Sequence, residues 1–273
     1  MEEITAEYSV AELVPAPAVN VIAKVTVACK SDLGRVRENN EDKFEYFLTE
    51  DPKELATRGQ TFLVCDGMGG HNAGQIASEL ACKTYFESYL NHPSFDPEIA
   101  SKSAFEAANR FVHQIGLSIP SRRGMGTTMS VLSLVNDRAI VSQVGDSRVY
   151  RIRNHHIEQL SPEHTYIEEM VSAGLLSRAA AEVHPNRHMI TRAIGTEAEV
   201  RPDIINLPAE IGDIYLICSD GLTNHINDER ILKICTELTP SAACQRLVGD
   251  ALQDGGSDNC TVMIVRIDDF LRP

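Results

Sequence analysis

The chain has 273 residues, of which 43% are hydrophobic and 23% are charged, as in an ordinary soluble globular protein. Its formal net charge is −14, which argues against nucleic acids and anionic membranes as partners, because both require basic patches. No apolar run approaches the roughly 20 residues of a transmembrane helix. The seven cysteines include no Cys-x-x-Cys pair, so we expect reduced thiols and a cytoplasmic protein.

An acidic segment precedes the first predicted strand. Residues 1–23 contain four glutamates and two prolines but no lysine or arginine, which is typical of a flexible extension. From Lys24 onward no Gly-, Ser- or Pro-rich linker interrupts the chain, so we expect one domain over residues 24–273.

Short apolar runs separated by turn residues predict strands, and apolar residues at helical spacing predict helices. The predicted elements are strands at 25–29, 43–48 and 61–65, helices at 73–90 and 97–117, strands at 127–135, 138–144, 148–153 and 156–160, a helical insertion at 167–183, a strand at 213–219, helices at 228–238 and 241–252, and a strand at 260–265. Because many strands follow one another without intervening helices, we expect antiparallel sheets with helices packed outside.

Three aspartates lie at the ends of predicted strands. Two apolar runs end in Asp-Gly, at Asp66-Gly67 and at Asp220-Gly221, and Asp258 precedes the last apolar run. Asp-Gly is also common in simple turns, but Asp66 begins the run Asp-Gly-Met-Gly-Gly, whose glycines permit a close approach to a ligand. Clustered carboxylates need a cation to be stable together, so the pattern predicts a hydrolytic site with hard metal ions.

The chemistry of the candidate ligands indicates which ions the site would bind. Oxygen ligands alone select Mg²⁺ or Mn²⁺ over zinc, and a bare carbonyl such as that of Gly67 is a suitable ligand for either. Two such ions about 3.5–4 Å apart can share a carboxylate and activate a water between them. Asp66 is the predicted bridging ligand.

Charged residues elsewhere could complete this site. Glu41 and Asp42 are candidate ligands of the metals or of their waters, although the polar segment that contains them could also be a solvated turn. Arg37 is a candidate for binding an anionic substrate; alternatively, it neutralises the neighbouring acids. Asp146 ends a predicted strand and is a candidate accessory metal ligand, with a tight hairpin turn as the alternative.

Six motifs occur in an order that resembles the PP2C (PPM) family of metal-dependent Ser/Thr phosphatases, and most closely its bacterial stand-alone members. The motifs are Arg37-x-Asn-Asn-Glu41-Asp42, Asp66-Gly-Met-Gly-Gly-His71, Gly124-Met-Gly-Thr-Thr128, Val144-Gly-Asp-Ser-Arg148, Cys218-Ser-Asp-Gly-Leu222 and Ser257-Asp-Asn259. The resemblance implies a four-layer α-β-β-α sandwich of two antiparallel sheets flanked by helices, with a binuclear Mn²⁺/Mg²⁺ centre at one end.

The resemblance also implies roles for individual residues, all at or near that centre. They are Asp66, Asp220 and Asp258 around the first ion, Asp66 and the Gly67 carbonyl at the second, Glu41 and Asp42 in its direct or water-mediated shell, Asp146 and Asp220 at a weaker third site, and Arg37 on the phosphate. Residues 163–195 correspond to the family's flap, which we expect to be a substrate-selecting lid; the alternative is an ordinary helical connection.

One residue departs from the pattern of many eukaryotic members. They carry a histidine, proposed as the general acid, where this chain has Met68. Bacterial-type members commonly share the methionine, so the leaving oxygen must take its proton from a coordinated water or from another group. His71 is near in sequence, but proximity in sequence alone assigns it no role.

We therefore expect a phosphatase that hydrolyses phosphoserine and phosphothreonine in proteins, without a covalent enzyme intermediate. Its expected partners are phosphoproteins and a Ser/Thr kinase that acts on the same targets, and we expect a monomer. A pseudophosphatase that binds phosphoproteins without turnover and a hydrolase of small phosphoesters are the alternatives. Motifs of cysteine-based phosphatases and of P-loop NTPases do not occur in the sequence.

Overall fold

The computed structural model describes residues 17–69, 72–182 and 184–272. Most of the predicted N-terminal extension, residues 1–16, lies outside these ranges, as does His71. The first strand begins at Ile22, and the proposed domain boundary after Ala23 stays a prediction.

Two five-stranded antiparallel sheets lie at the centre of the fold. The first sheet has the strand order β1-β12-β11-β8-β9, with β1 at Ile22–Asp32, β8 at Arg148–Arg153, β9 at His156–Gln159, β11 at Ile214–Cys218 and β12 at Cys260–Leu271. The second has the order β10-β7-β6-β3-β2, with β2 at Lys43–Phe47, β3 at Gln60–Cys65, β6 at Met129–Val135, β7 at Arg138–Val144 and β10 at Asp203–Pro208. A small third sheet pairs β4, Gly67–Met68, with β5, Gly126–Thr127.

Helices cover the outer faces of both sheets. In the described part of the chain the α-helices, including those that do not cover a sheet, are α1 (Pro52–Thr57), α2 (Ala73–Leu90), α3 (Pro97–Ser118), α4 (Tyr166–Ser172), α5 (Arg178–Glu182), α6 (Asp220–Thr223), α7 (Asp228–Glu237) and α8 (Pro240–Gln253). The pair α2 and α3 packs on the second sheet, and the pair α7 and α8 packs on the first. None of the described helices is both long and apolar enough to cross a membrane.

Strand β3 shows why the central strands are apolar throughout. Phe62 and Val64 point into the core between the two sheets, whereas Leu63 and Cys65 point into the core beneath α2 and α3. A strand covered on both faces needs apolar residues at every position, so its sequence shows no alternation. The result is four layers, helices–sheet–sheet–helices, and the predicted α+β sandwich is confirmed.

Several elements differ from the sequence prediction. The predicted helix at 167–183 is two short helices, α4 and α5, separated by a turn at Gly174, whose φ is +71°. Helices α1 and α6 and strands β4 and β10 were not predicted from the sequence. Helix α1 has only six residues and is defined by its N-terminal cap, where the Asp51 side chain accepts hydrogen bonds from two backbone N–H groups.

Candidate metal centre

The loops at one end of the two sheets carry the predicted site residues. Asp66 follows β3, Asp146 lies in the turn between β7 and β8, Asp220 begins α6 directly after β11, and Asp258 precedes β12. Glu41 and Asp42 precede β2, and Arg37 lies in the loop between β1 and β2. The end of each strand therefore determines where its carboxylate lies.

The side chain of Asn259 holds two of these loops together. Its amide donates to the carbonyls of Leu33 (2.8 Å) and Asn39 (2.9 Å), and its oxygen accepts from the backbone N–H of Glu41 at 2.8 Å. These bonds fix the loop that carries Arg37 and Glu41 against the loop that carries Asp258. Asn259 belongs to a motif noted in the sequence, but its contacts with residues more than 200 positions away could not be predicted from spacing.

Threonine hydroxyls hold Asp66 in place. The Thr127 hydroxyl donates to the Asp66 carbonyl at 2.9 Å, and the Thr128 hydroxyl accepts from the Asp66 N–H at 2.9 Å. The Thr128 hydroxyl is also 2.8 Å from that of Ser147, the residue after Asp146. The threonines of the Gly124–Thr128 motif thus link the strand ends that carry two site aspartates.

The glycines of the two Asp-Gly pairs allow protein backbone to pass close by. A Cβ added at Gly67 would lie 2.2 Å from the carbonyl oxygen of Gly74, and one at Gly221 would lie 1.9 Å from that of Asn259. Both distances are far below van der Waals contact, so a side chain at either position requires the backbone to shift. In this structure the close approach that glycine permits is to the first turn of α2 at Gly67 and to the loop before β12 at Gly221.

Burial and mutual repulsion raise the pKa values of the clustered carboxyl groups. Desolvation raises the pKa of Asp66 well above its ordinary value, and the charges of Asp42, Asp220, Asp146 and Asp258 add to this shift. Burial and the charges of Asp220 and Asp258 likewise raise the pKa of Asp42 to about 7, although a hydrogen bond from the Ser219 hydroxyl, at 2.7 Å, acts to lower it.

Two further acids show the same effect. Burial, followed by the charge of Asp220, raises the pKa of Asp146 to about 8. Burial and the charge of Asp258 raise the pKa of Asp220, whose carboxylate accepts a hydrogen bond from the Asn224 amide at 3.0 Å. The structure therefore brings the predicted aspartates together, and ionising all of them at neutral pH requires compensating positive charge.

Two basic side chains reach this cluster. Arg37 Nη2 lies 2.6 Å from Asp258 Oδ2, and this hydrogen bond raises the pKa of Arg37. The pair is too exposed to add much stability, because water screens it. His188, which comes from the segment after α5, places its Nδ1 3.9 Å from Asp220 Oδ2. Sequence reasoning did not select His188, since no motif that we recognised contains it.

The donor set fits hard divalent cations. Glu41 Oε1 and Asp42 Oδ1 are buried without a hydrogen-bond partner in the described part of the chain, which is costly for carboxylate oxygens unless a cation is near. Among the described residues, however, no three acidic, histidine or cysteine side chains are arranged as a ready-made metal cage. Asp220 and Asp42 each accept a hydrogen bond from a protein donor on one oxygen. Asp258 accepts on both oxygens, from Arg37 and from the backbone N–H of Asn259.

A cavity of about 780 Å³ adjoins the cluster. It lies between residues 163–188 and the α6–α7 region, and we call it the flap cavity. Its wall includes Asp146, Arg148, Glu163, Arg178, His188 and Asp220. It is large enough for several residues of an extended peptide and carries both acidic and basic groups.

His164 attaches the start of the 163–195 segment to the turn that holds Asp146. Its backbone N–H donates to the Gly145 carbonyl and its Nδ1 accepts from the Gly145 N–H, both at 3.0 Å. Its Nε2 lies 2.7 Å from Asp203 Oδ2, to which Arg192 also donates at 2.7 Å. Both ends of the segment are therefore tied to the start of β10, close to the candidate metal centre.

Comparison with known proteins identifies the family. The family model described as Protein phosphatase 2C matches residues 36–254. The chain is 35% identical to the protein phosphatase PhpP of Streptococcus pneumoniae over 249 residues, which cover 89% of this chain and 98% of PhpP. The chain belongs to the protein phosphatase 2C family. It is therefore an enzyme, a metal-dependent phosphatase, as the motif order predicted.

Solved structures of this family agree with the fold. The serine/threonine phosphatase Stp1 from Staphylococcus aureus superposes with a TM-score of 0.85 at 26% identity, over 94% of this chain and 100% of that one. The catalytic domain of the phosphatase PstP, solved in complex with 2 manganese ions, superposes with a TM-score of 0.77 at 30% identity, over 91% and 100%. The roles of individual residues in this chain stay predictions.

The raised pKa values predict that stability without divalent cations falls as the pH rises. Between pH 4 and 8 the unfolded chain loses the protons of Asp42 and Asp146 before the folded chain does, so the folded state binds more protons and is progressively destabilised. We expect the free energy of unfolding, from urea denaturation in EDTA, to fall by on the order of 2 kcal/mol or more over this range.

Two variants separate this effect from general surface charge. Asp146→Asn removes one of the repelling groups and should reduce the pH dependence, whereas Asp269→Asn, at the exposed end of β12, should leave it unchanged. Adding Mn²⁺ should restore stability at pH 8. Equal pH profiles for the wild type and Asp146→Asn would contradict the assignment.

Proposed function

We propose that the protein hydrolyses phosphoserine and phosphothreonine in other proteins at a centre of two Mn²⁺ or Mg²⁺ ions. The observation that carries the proposal is the cluster of Asp42, Asp66, Asp146 and Asp220, four carboxyl groups whose pKa values burial and mutual repulsion raise together. Such a cluster is stable at neutral pH when cations compensate it. The names of the relatives, which are protein and serine/threonine phosphatases, support the substrate class.

We assign the ligands by position around the cluster. Asp66 would bridge the two ions. Its neighbours would be Asp220 and Asp258 at the first ion, the Gly67 carbonyl at the second, Glu41 and Asp42 in direct or water-mediated contact, and Asp146 with Asp220 at a weaker third ion. The buried oxygens without partners on Glu41 and Asp42 support their part in this set. When bound, the ions would lower the pKa of a water and compensate the charge of the phosphate.

The chain's own residues orient the reactants. Ser219 and Asn224 hold single oxygens of Asp42 and Asp220, which limits the rotation of both carboxylates. Arg37, whose side chain is half exposed beside Asp258, is placed to donate hydrogen bonds to the equatorial oxygens of the phosphate. The segment 163–195, as a flap, would receive the polypeptide on either side of the phosphorylated residue and would limit access of water.

We also propose a signalling role in the cytoplasm, as a monomer that reverses the action of a Ser/Thr kinase on shared targets. All seven cysteines are free thiols, as is usual in reducing compartments. The kinase and the monomeric state rest on the family resemblance.

Asp220→Asn tests the centre directly. The substitution keeps the shape of the side chain but removes the charge, so we expect kcat on a phosphothreonine peptide in Mn²⁺ to fall by about 100-fold or more. EDTA should abolish turnover by the wild type. Asp269→Asn is the matched control and should retain wild-type kinetics. Turnover that survives both chelation and Asp220→Asn would exclude the proposed centre.

Arg37→Ala tests phosphate binding. A hydrogen bond to a charged group contributes about 1.5–3 kcal/mol, so we expect KM for a phosphothreonine peptide to rise by about 10-fold or more. Arg123→Ala, at an exposed position outside the site, is the control. An unchanged KM would leave neutralisation of Asp258 as the only role of Arg37.

A further inference from the structure

Arg148 is a charged side chain near the centre that has no role in the assigned ligand set. It begins β8, two residues after Asp146, and it lines the flap cavity. Its side chain is only 27% exposed. Arginine stays charged at all pH values at which proteins are folded, so burying it is costly unless other groups compensate the charge. The partners of Arg148 therefore indicate what the residue does.

These partners come from two other elements of the cavity wall. Arg148 Nε lies 2.7 Å from Glu163 Oε1, at the start of the segment 163–195. Arg148 Nη1 donates to the Tyr150 hydroxyl at 2.8 Å, and that hydroxyl donates to Asp228 Oδ1, at the start of α7, at 3.1 Å. A chain of charged and polar contacts thus runs from the segment 163–195 across β8 to α7.

The contact between Arg148 and Glu163 is an ion pair without a directed hydrogen bond. Within the described residues the Arg148 Nε–H has no hydrogen-bond partner, so it does not point at the carboxylate. Glu163 Oε1 instead accepts a hydrogen bond from Gln159 Nε2 at 3.2 Å. The attraction between charges falls only gradually with distance, so such a pair can hold the segment and still allow small movements.

Hydrogen bonds inside the segment 163–195 favour its movement as one unit. Arg178 pairs with Glu168, which ties α5 to α4. The backbone N–H of Tyr166 donates to the Met189 carbonyl at 2.8 Å, which ties α4 to a later part of the segment. A force on the start of the segment therefore acts on both helices.

We propose that Arg148 and Glu163 are positioning residues, whose ion pair sets the position of the segment 163–195 relative to the candidate metal centre and so controls the binding of polypeptide substrates. This rests on the proposed function, in which the segment receives the polypeptide beside the phosphorylated residue. Without the pair, the segment is in the position that binds substrate for a smaller fraction of the time, and the apparent affinity falls by that fraction. The carboxylates of the centre are unchanged, so the chemical step keeps its rate.

Glu163→Gln tests the proposal by the separate effects on KM and kcat. The substitution keeps the shape of the side chain and removes its charge. We expect KM for a phosphothreonine peptide to rise by about fivefold, the factor that the loss of one partly exposed ion pair can produce, and kcat to change by less than about twofold.

Glu158→Gln is the matched control. Glu158 Oε2 lies 2.7 Å from Arg151 Nη2, so it also forms an ion pair with an arginine of β8. The two residues are cross-strand partners in β8 and β9, and neither lines the flap cavity. We expect this variant to keep the wild-type KM.

Arg148→Gln and the double variant with Glu163→Gln complete a double-mutant cycle. Because both residues act through one contact, the double variant should have about the same fivefold rise in KM as Glu163→Gln alone. Residues that act independently would instead give a rise of about 25-fold. If circular dichroism shows that Arg148→Gln does not fold, Glu163→Gln and its control still decide the matter.

Hydrogen exchange of two backbone amides, followed by NMR, measures the position of the segment without any turnover. The His164 N–H donates to the Gly145 carbonyl at 3.0 Å, across the contact between the segment and the turn before β8. The Tyr166 N–H donates to Met189, inside the segment. Movement of the whole segment exposes the first amide to solvent and leaves the second protected.

We expect Glu163→Gln to speed exchange of the His164 amide by about fivefold and to leave Tyr166 unchanged, and Glu158→Gln to change neither. Unchanged exchange at His164 would overturn the proposal: with a raised KM it would make Glu163 a direct peptide ligand. Faster exchange with an unchanged KM would also overturn it, as would equal effects of Glu158→Gln or a 25-fold rise in the double variant. A wild-type protein without turnover in Mn²⁺ would overturn the proposed function, whereas the exchange experiment tests the ion pair independently of turnover.

Discussion

Repulsion among partly or fully buried carboxylates is the constraint on which the rest of the site depends. Asp42, Asp66, Asp146 and Asp220 come from four different strand ends, and the charges of Asp42, Asp146 and Asp220 each raise the pKa of Asp66. The fold holds them together through its backbone. Antiparallel strands bring the loops to one end of both sheets, and hydrogen bonds from Asn259 and the Gly124–Thr128 motif fix those loops. The cluster therefore destabilises the folded state, and a divalent cation bound among the carboxylates can restore that stability.

Hydrogen bonds also tie the segment 163–195 to this arrangement. Its first residues are bonded to Gly145, next to Asp146, and its last residues reach Asp203 through Arg192. A movement of the segment would therefore act on the turn that carries one site aspartate. The segment also brings His188 to the cluster, so residues outside the two sheets form one side of the candidate metal centre.

Much of the fold could be predicted because the physical signals are local. The central strands are continuous apolar runs, and the three main aspartates directly follow or precede such runs. Helix α1 and strand β10 could not be predicted, since α1 has only six residues and β10 is only partly buried. The contacts of Asn259 and the position of His188 depend on loops that meet only in three dimensions. The break in the predicted helix at 167–183 comes from Gly174. One glycine destabilises a helix too little for the end of the helix to be predicted from the sequence.

Calorimetric titration of the protein with Mn²⁺ tests most directly whether the acidic cluster is a cation site. We predict binding of two ions per chain, and loss of the stoichiometric binding when Asp66, the proposed bridge, is replaced by asparagine. A protein that binds no Mn²⁺, or an Asp66→Asn variant that binds both ions as the wild type does, would contradict the account.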